Sequence, residues 1–286
     1  VEVTLWALVG NAGDVGVLTR QAARIARGEF LEAKRRENAA LIAGLTEPIA
    51  TQTSSPLFDA YCRQSLLDNV LRGGYPLVFG DVANPRVYHV YSRKHGDLER
   101  DYNFFSLAPE FYSQGNGNYR DVNQNRRDDV RFWPEVRDFD IATFVNLIQP
   151  DGYNPLVILG SRFVVAPEAL DAALAPVADD GRDGLARLLA QPFRPGQVVQ
   201  YVLDHAIRLS VPMDEFVAGV LSRAEQTVEA TFGEGYWVDH WVYNLDLIES
   251  FLAIYPDEKE ALLFGQSDYT FSDSPARVLP RADKYV

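Results

Sequence analysis

Hydrophobic positions recur at the spacing of amphipathic helices over most of this chain, and long irregular stretches connect them. Apolar residues three and four positions apart lie on one face of a helix, which then packs against a core. The pattern therefore predicts a mainly α fold, without a solenoid-length repeat and without regular alternation of strands and helices. The predicted helices cover residues 17–45, 57–71, 138–149, 167–189, 195–209, 212–232 and 237–255.

Glycine-rich breaks in the helical pattern predict where these helices divide or end. Gly28 divides the first helical stretch in two, and the Gly-Gly pair at residues 73–74 suits the C-terminal cap of the next helix. Residues 179–184, with the sequence DDGRDG, are predicted to form a surface loop that interrupts their helix.

Two segments have the composition of extended structure. Residues 3–9 predict a strand followed by a turn, and residues 154–165 predict a turn followed by a short strand or extended segment. The chain opens directly on an apolar run, and residues 276–286 resemble neither a helix end nor a tail. We therefore expect this chain to be part of a longer protein.

Composition narrows the class of protein. A chain of 286 residues, 47% hydrophobic, is long enough for one large domain or two modest ones, and no apolar run reaches the length of a membrane helix. The net charge of −13 repels nucleic-acid phosphates and argues against such a partner. The single Cys62 excludes an internal disulfide and a multi-thiolate metal site. These features predict a cytoplasmic protein.

Residues 112–129, here called the polar segment, carry the first candidate chemistry. They contain three Arg, three Asp, four Asn and two Gln, with two glycines that permit close backbone approach. Amides and charged groups of this kind suit a ligand covered in hydroxyl groups, namely a sugar. The alternative is a polar loop held by hydrogen bonds of its own side chains to its backbone.

Residues 233–241, GEGYWVDHW, here called the Trp-Asp segment, carry the second candidate chemistry. Asp239 lies between Trp237 and Trp241, with His240 beside it. Indole rings stack on sugar rings, and burial beside indole raises the pKa of a carboxyl group, as a general acid near neutral pH requires. The alternative is the first turn of a helix, with Asp239 as a first-turn acid and the tryptophans in the core.

The remaining histidines and the charged run at residues 92–103 give weaker signals. His89, His95 and His205 fit no metal-binding motif and are predicted to be structural. The charged run is predicted to be a solvated, salt-bridged loop. Its alternative role is to supply phosphate- or hydroxyl-binding cations.

The two segments together resemble one enzyme family. YRDVNQN at residues 119–125 resembles the Arg-Asp-Ser-x-Gln-Asp motif of the inverting cellobiose phosphorylase family, and Trp237-Val238-Asp239 resembles its Trp-x-Asp motif. The wording of both segments is most similar to the 1,2-β-oligoglucan phosphorylase branch. Val122 and Asn125 depart from the family pattern, which has Ser and commonly Asp at these positions.

The resemblance implies a fold and a domain order. Such enzymes are large bacterial cytoplasmic proteins with an N-terminal β-sandwich, a helical linker and an (α/α)6 barrel. On that pattern, residues 1–16 are the end of the β-domain, residues 17–53 are the linker, and residues 54–286 are the first part of the catalytic barrel. The chain would then be a fragment, whose partner is the remainder of the same enzyme or a second copy.

The resemblance also implies a reaction, the phosphorolysis of β-linked gluco-oligosaccharides, in that branch β-1,2-linked, to α-glucose 1-phosphate. Inorganic phosphate is the co-substrate, and neither a cofactor nor a metal is implied. Asp239 is the implied general acid. The implied substrate-binding residues are Arg120, Asp121, Asn123, Gln124, Trp237 and His240. No convincing match to the family's phosphate-binding groups is found in this chain.

Two other interpretations stay open. An inverting glycoside hydrolase or transglycosylase on the same scaffold needs a second carboxylate across the sugar from Asp239, such as Asp97, Asp121 or Glu234. The other interpretation is a carbohydrate-binding protein that keeps the sugar-recognising segments without a complete active site.

Overall fold

The computed structural model describes residues 15–80, 85–90, 106–108, 110–237, 240–274, 279–280 and 282–283, together with residues 3, 5 and 7. The predicted strand at residues 3–9 lies largely outside the described residues, and the charged run at residues 92–103 lies wholly outside them. The described chain is mainly helical with small sheets, as predicted. The finer prediction of an (α/α)6 barrel stays a prediction.

The chain divides into two compact units, Val1–Leu67 and Asp68–Val286, and the boundary falls inside a helix. The first two helices are separated at Ala26 and Arg27, which confirms the division predicted near Gly28. The helices of this region are α1 (Val15–Ile25), α2 (Gly28–Leu45) and α3 (Pro56–Gly73).

A local hydrogen-bond cluster holds the start of α3. The Asp59 carboxylate accepts hydrogen bonds from the Thr53 backbone N–H at 3.0 Å and from the Thr51 hydroxyl at 2.8 Å. The Thr53 bond is the main reason that the pKa of Asp59 lies below its usual value. The helix ends as predicted, since Gly74 has a φ of 111° and its N–H bonds to the Val70 carbonyl.

The second unit combines short helices with two small antiparallel sheets. In order along the chain, the helices are α4 (Tyr119–Arg126), α5 (Asp129–Phe132), α6 (Phe139–Asn146), α7 (Pro167–Ala173), α8 (Asp179–Leu189), α9 (Pro195–Asp204), α10 (Met213–Leu221) and α11 (Trp241–Ile254). The strands are β1 (Tyr75–Phe79), β2 (Arg86–Val90), β3 (Gly117–Asn118), β4 (Asn154–Val165) and β5 (Ala224–Trp237).

Strand β4 is the centre of the larger sheet. It pairs with β3 on one side and with the long strand β5 on the other, and both pairings are antiparallel. Its β-branched and apolar residues confirm the strand predicted within residues 154–165. The strand occupies this whole range, including the first residues, which were predicted to form a turn. Strands β1 and β2 form a separate two-stranded sheet.

The β4–β5 pair contributes to two apolar cores. At one end, Phe163 of β4 and Ala224 of β5 belong to a core built with residues of α8, α9 and α10. At the other end, Ile158 of β4 belongs to a core with Tyr119, Phe144 and residues of α11. The pair therefore links the two cores along its length.

A glycine fixes the path of β4. Gly160 has a φ of 120° and lies at an irregularity in the pairing with β5. A Cβ atom there would lie 2.6 Å from the Gln114 Oε1 atom. Because this backbone conformation disfavours side chains and the space is filled, glycine suits the position better than any other residue.

The helix predicted at residues 212–232 is wrong beyond its first half. Helix α10 ends at Leu221, and β5 begins at Ala224. After Ala224, charged or hydroxyl-bearing residues alternate with less polar ones, which is the period of a strand, and no Gly or Pro marks the change. Pairing with β4 decides the outcome, and Arg162 of β4 forms an ion pair with Glu229 at 3.0 Å.

The predicted surface loop at residues 179–184 is also wrong, because these residues form the first turns of α8. Asp179 and Asp180 lie in the first turn, where a helix favours negative charge. Gly181 is buried against Ile207, so this glycine serves close packing rather than a turn.

The last helix also begins later than predicted. Residue 237 still belongs to β5, and α11 starts at Trp241. No helix among the described residues combines the length and the apolar composition needed to cross a membrane.

We expect Phe163→Ala to lower the free energy of unfolding by about 3–5 kcal/mol, because a fully buried ring is removed from the first core. Urea denaturation measures the change. Leu159→Ala, at a half-exposed position of the same strand, is the control and should cost clearly less. Equal losses for the two variants would contradict the assignment of Phe163 to the core.

Candidate functional site

Strand β4 brings the polar segment and the Trp-Asp segment to one region of the second unit. Asn118, at the end of β3, pairs with Val157, while Asn154 at the start of β4 pairs with Trp237 at the end of β5. Helix α4 follows directly from β3, and the Trp-Asp segment runs from β5 to the start of α11. The two segments that the sequence singles out therefore flank the same strand.

The second half of the polar segment is the helix α4, which corrects the predicted loop. Asn118 caps this helix, since its side-chain oxygen accepts a hydrogen bond from the Arg120 N–H at 3.0 Å. Tyr119, Val122 and Arg126 are buried, and their spacing of three and four positions is the helical signal among the polar residues.

Arg120 and Gln124 are the most accessible of the predicted site residues that the structure describes. They lie one turn apart on α4, and the Arg120 side chain is 47% exposed. The Arg120 Nε atom donates to the Asp121 Oδ1 atom at 3.0 Å. Asp121 itself is buried, and its Oδ2 atom has no hydrogen-bond partner among the described residues. This face of α4 thus presents a guanidinium beside an amide.

Tyr119 and His240 join the two segments directly. Their rings stack with centroids 5.4 Å apart and planes 9° apart, and both residues are buried. The Tyr119 hydroxyl lies 3.0 Å from the Phe144 carbonyl and 3.1 Å from Asn244 Oδ1, and it donates to one of these two acceptors. Asn244 Oδ1 also accepts from Asn123 Nδ2 at 2.7 Å. The contact places His240, next in the chain to Asp239, against the first residue of α4.

We call Tyr119, Asn123, Asn154, Asn244 and His240 the amide cluster. All five residues are buried. The Asn123 Oδ1 atom, both amide atoms of Asn154 and the Asn244 Nδ2 atom have no hydrogen-bond partner among the described residues. Buried polar atoms nearly always have a partner, because leaving one without costs about 1–3 kcal/mol. The cluster therefore has spare donors and acceptors beneath the predicted site.

Burial raises the pKa of Tyr119 above its usual value, and the neighbouring amides of Asn244, Asn154 and Asn123 oppose this rise. The hydroxyl is therefore un-ionised at neutral pH and acts as a donor within the amide cluster.

Asp239 lies outside the described residues, and the side chain of Trp237 does as well. Asn123 and His240 are too buried to contact a ligand at the surface, so any effect they have on a ligand is indirect. The structure thus brings Arg120, Asp121, Asn123, Gln124 and His240 together.

Other amides of the polar segment serve the fold. The Gln114 side chain donates to the His89 carbonyl at 2.8 Å and accepts from the Ser161 N–H at 2.6 Å, so it connects β2 to β4. The Asn116 side chain accepts from the Ser106 N–H at 2.8 Å. The cited bonds of Gln114 and Asn116 therefore tie the first half of this segment to residues outside it, rather than to its own backbone as the alternative interpretation predicted.

A second cluster of ionisable groups lies in the same unit. His89 on β2, Asp129 at the start of α5 and Asp140 on α6, here called the His-Asp-Asp cluster, are each at least 95% buried. The His89 Nε2 atom lies 2.8 Å from Asp129 Oδ2 and 3.8 Å from Asp140 Oδ1. The Asp140 Oδ1 atom has no hydrogen-bond partner among the described residues.

Burial dominates the electrostatics of this cluster. It lowers the pKa of His89 well below the usual value, and the positive charge of Arg126 adds to this effect. It raises the pKa of Asp129 well above its usual value, with Asp140 adding and Arg126 opposing. Burial also raises the pKa of Asp140 to about 7, again opposed by Arg126. His89 is therefore neutral, and the 2.8 Å contact is a hydrogen bond rather than an ion pair.

Sequence reasoning treated His89 as structural and did not single out Asp140. The three residues of the His-Asp-Asp cluster lie on separate elements and share no short motif, so their proximity follows from tertiary structure alone. Among the described residues, this is the group whose nitrogen and oxygen atoms are close enough to hold a metal ion.

A groove of about 540 Å³ lies between α6, β5 and residues 270–272. Its wall combines aromatic rings with hydroxyl and amide groups, including Phe271, Thr143, Asn146 and Gln226. None of the predicted site residues that the structure describes belongs to its lining.

Comparison with protein-family models, with curated proteins and with solved structures finds no significant match to this chain. The resemblance of the two segments to the cellobiose phosphorylase family therefore rests on their sequence motifs alone.

We expect Tyr119→Phe to lower the free energy of unfolding by about 1–2 kcal/mol, because the buried acceptors of its hydroxyl lose a donor. Chemical denaturation at pH 7 measures the loss. Tyr255→Phe is the matched control, since its hydroxyl donates to the Pro134 carbonyl at an exposed site. That variant should lose less than about 1 kcal/mol.

The wild-type protein and Tyr119→Phe should also differ in how their free energy of unfolding depends on pH. Above pH 10 the unfolded chain loses the Tyr119 proton, whereas the folded chain retains it because the pKa is raised. The wild-type free energy of unfolding should therefore fall more steeply above pH 10 than that of Tyr119→Phe. Parallel curves for the two proteins would show that Tyr119 is not buried as described.

Proposed function

We propose that this chain carries part of the active site of an inverting glycoside phosphorylase that acts on β-linked gluco-oligosaccharides, with β-1,2-linked glucans as the first substrates to test. The products are α-glucose 1-phosphate and an oligosaccharide shortened by one unit. The proposal rests on the resemblance of the polar and Trp-Asp segments to the cellobiose phosphorylase family. The observation that supports it is the contact between these segments, which are far apart in sequence: Tyr119 stacks on His240, next to Asp239.

The reaction needs one acid and one nucleophile. Asp239 donates its proton to the glycosidic oxygen while the bond between that oxygen and the anomeric carbon breaks. A phosphate oxygen attacks the anomeric carbon from the opposite face and forms the new bond, so the configuration inverts from β to α. Phosphate is already an anionic nucleophile, so no carboxylate is needed to activate water, in contrast to an inverting hydrolase.

The described residues supply recognition in this scheme. Arg120 and Gln124 present a guanidinium and an amide on one face of α4, which suits hydrogen bonds to sugar hydroxyls. Asp121 accepts a hydrogen bond from Arg120 and orients its side chain. His240 connects the Trp-Asp segment to α4 through its stacking on Tyr119, and Asn123 connects α4 to α11 through its hydrogen bond to Asn244.

We expect Asp239→Asn to lower kcat for phosphorolysis by about 10²–10³-fold, because the amide has no proton to donate to the leaving oxygen. The assay measures phosphate-dependent release of α-glucose 1-phosphate from β-1,2-oligoglucans by the natural polypeptide that contains this chain. Asp257→Asn, at an exposed position beyond α11, is the control and should retain wild-type turnover.

Each outcome of this assay has a separate meaning. Near-wild-type turnover in Asp239→Asn would remove the acid assignment. Equal release of reducing sugar without phosphate would indicate a hydrolase, for which Asp121 is the candidate second carboxylate that the structure describes. Oligoglucan binding without turnover would indicate a carbohydrate-binding protein. The absence of binding would overturn the carbohydrate assignment.

We expect Arg120→Ala to raise KM for the oligoglucan by about 10-fold or more while leaving the fold intact, because a charged donor to sugar hydroxyls is removed from an exposed side chain. Steady-state kinetics measure the effect. Arg131→Ala is the matched control, since Arg131 is an exposed helical arginine whose ion pair is with Asp128. Equal KM values for both variants would remove Arg120 from the binding site.

A further inference from the structure

The His-Asp-Asp cluster has the composition of a metal site. It combines one imidazole nitrogen with two carboxylates, and each comes from a different element: His89 from β2, Asp129 from α5 and Asp140 from α6. A shared ligand would fix these three elements to one another. We propose that the cluster binds one Zn²⁺ ion, independently of the carbohydrate chemistry proposed above.

The ligand atoms lie close enough together for one ion. One ligand atom from each residue lies within 4.8 Å of the other two, and His89 Nε2 is 2.8 Å from Asp129 Oδ2 and 3.8 Å from Asp140 Oδ1. A tetrahedral zinc ion bonds nitrogen and oxygen at about 2.0–2.2 Å, which sets its ligands roughly 3.3 Å apart. The two separations from His89 therefore lie about 0.5 Å on either side of the value for a zinc ion.

Two observations indicate that the cluster binds a ligand and is not complete through hydrogen bonds among its own residues. The Asp140 side chain is buried, yet its Oδ1 atom, facing His89, has no hydrogen-bond partner among the described residues. The cluster also places two carboxylates together away from water, where charges are normally paired or bound to a metal. A divalent cation would neutralise both carboxylates and satisfy the Asp140 oxygen.

Charged residues and a small cavity surround the His-Asp-Asp cluster. Arg126 and Asp128 are the charged neighbours that act on Asp129, and Arg126 also acts on His89 and Asp140. A cavity of about 10 Å³, with room for one water-sized ligand, lies against Asp140. Its wall contains Arg126 and Arg137 but neither His89 nor Asp129, so this space adjoins the cluster at Asp140 only.

The donor set favours zinc over the common hard cations. Mg²⁺ and Ca²⁺ prefer six or more oxygen ligands, whereas Zn²⁺ accepts four ligands from mixed nitrogen and oxygen donors. Imidazole with two carboxylates therefore favours zinc over Mg²⁺ and Ca²⁺. The competing occupant is a proton shared by the two carboxylates, which needs no metal.

The experiment uses purified protein that has been treated with a chelator and then exposed to zinc. Metal content measured by mass spectrometry should reach one zinc per chain, and zinc should raise the thermal unfolding midpoint. Asp140→Asn removes a ligand with little change in shape and should weaken zinc affinity at least about tenfold. Asp128→Asn, at the more exposed residue that precedes Asp129, is the control and should bind zinc normally.

A second readout keeps the proposal testable if Asp140→Asn does not fold. Adding Co²⁺ to the wild-type protein should give the visible absorption of a tetrahedral cobalt site, and zinc should displace it stoichiometrically. Failure of the folded wild-type protein to retain zinc would overturn the proposal and leave the shared proton. Equal zinc affinity in Asp140→Asn and Asp128→Asn would place the bound metal elsewhere.

Discussion

The structure of the second unit depends on the antiparallel pairing of β4 with β5. This pair links the two apolar cores, because Phe163 and Ala224 lie in one and Ile158 lies in the other. The same pairing sets Asn154 beside Trp237 and so places the Trp-Asp segment near α4. Without it, neither the cores nor the candidate carbohydrate site would be assembled.

Much of the helical part of the fold could be predicted from sequence, because apolar periodicity and glycine breaks act locally. The division near Gly28, the cap after α3 and the strand β4 are examples. Strand β5 was not predicted, because no turn signal after Leu221 separates its alternating residues from the preceding helix, and pairing with β4 decides their structure. Secondary structure there is decided by a distant partner rather than by local preference.

The candidate site was likewise predictable in part: its residue types follow from the sequence, whereas their burial and proximity depend on the tertiary structure. Residue types in the polar and Trp-Asp segments predicted carbohydrate chemistry, and the structure brings Tyr119 and His240 of these segments into contact. The burial of Asn123 could not be predicted, because an amide at the surface and an amide in a buried network have the same sequence signature. The proximity of His89, Asp129 and Asp140 likewise has no counterpart in sequence spacing.

Several polar side chains are buried in the two clusters described above. The amide cluster and the His-Asp-Asp cluster both place hydrogen-bonding atoms without partners at buried positions among the described residues. Such interiors favour one arrangement of side chains over its alternatives only when every polar atom is satisfied. Occupancy of these clusters by water, metal or ligand should therefore affect how uniquely this region is ordered.

The position of β4 and β5 in the chain has a consequence for folding rate. Asn154 pairs with Trp237 although helices α7 to α10 lie between them in sequence. Those helices form from neighbouring residues, whereas closing the strand pair must first overcome the entropy of a long loop. The glycine bulge at Gly160 further restricts the registers in which the strands can meet. We therefore expect strand closure to be the slow event in refolding, and until it occurs β5 lacks its partner β4 and has both edges open to association with other chains.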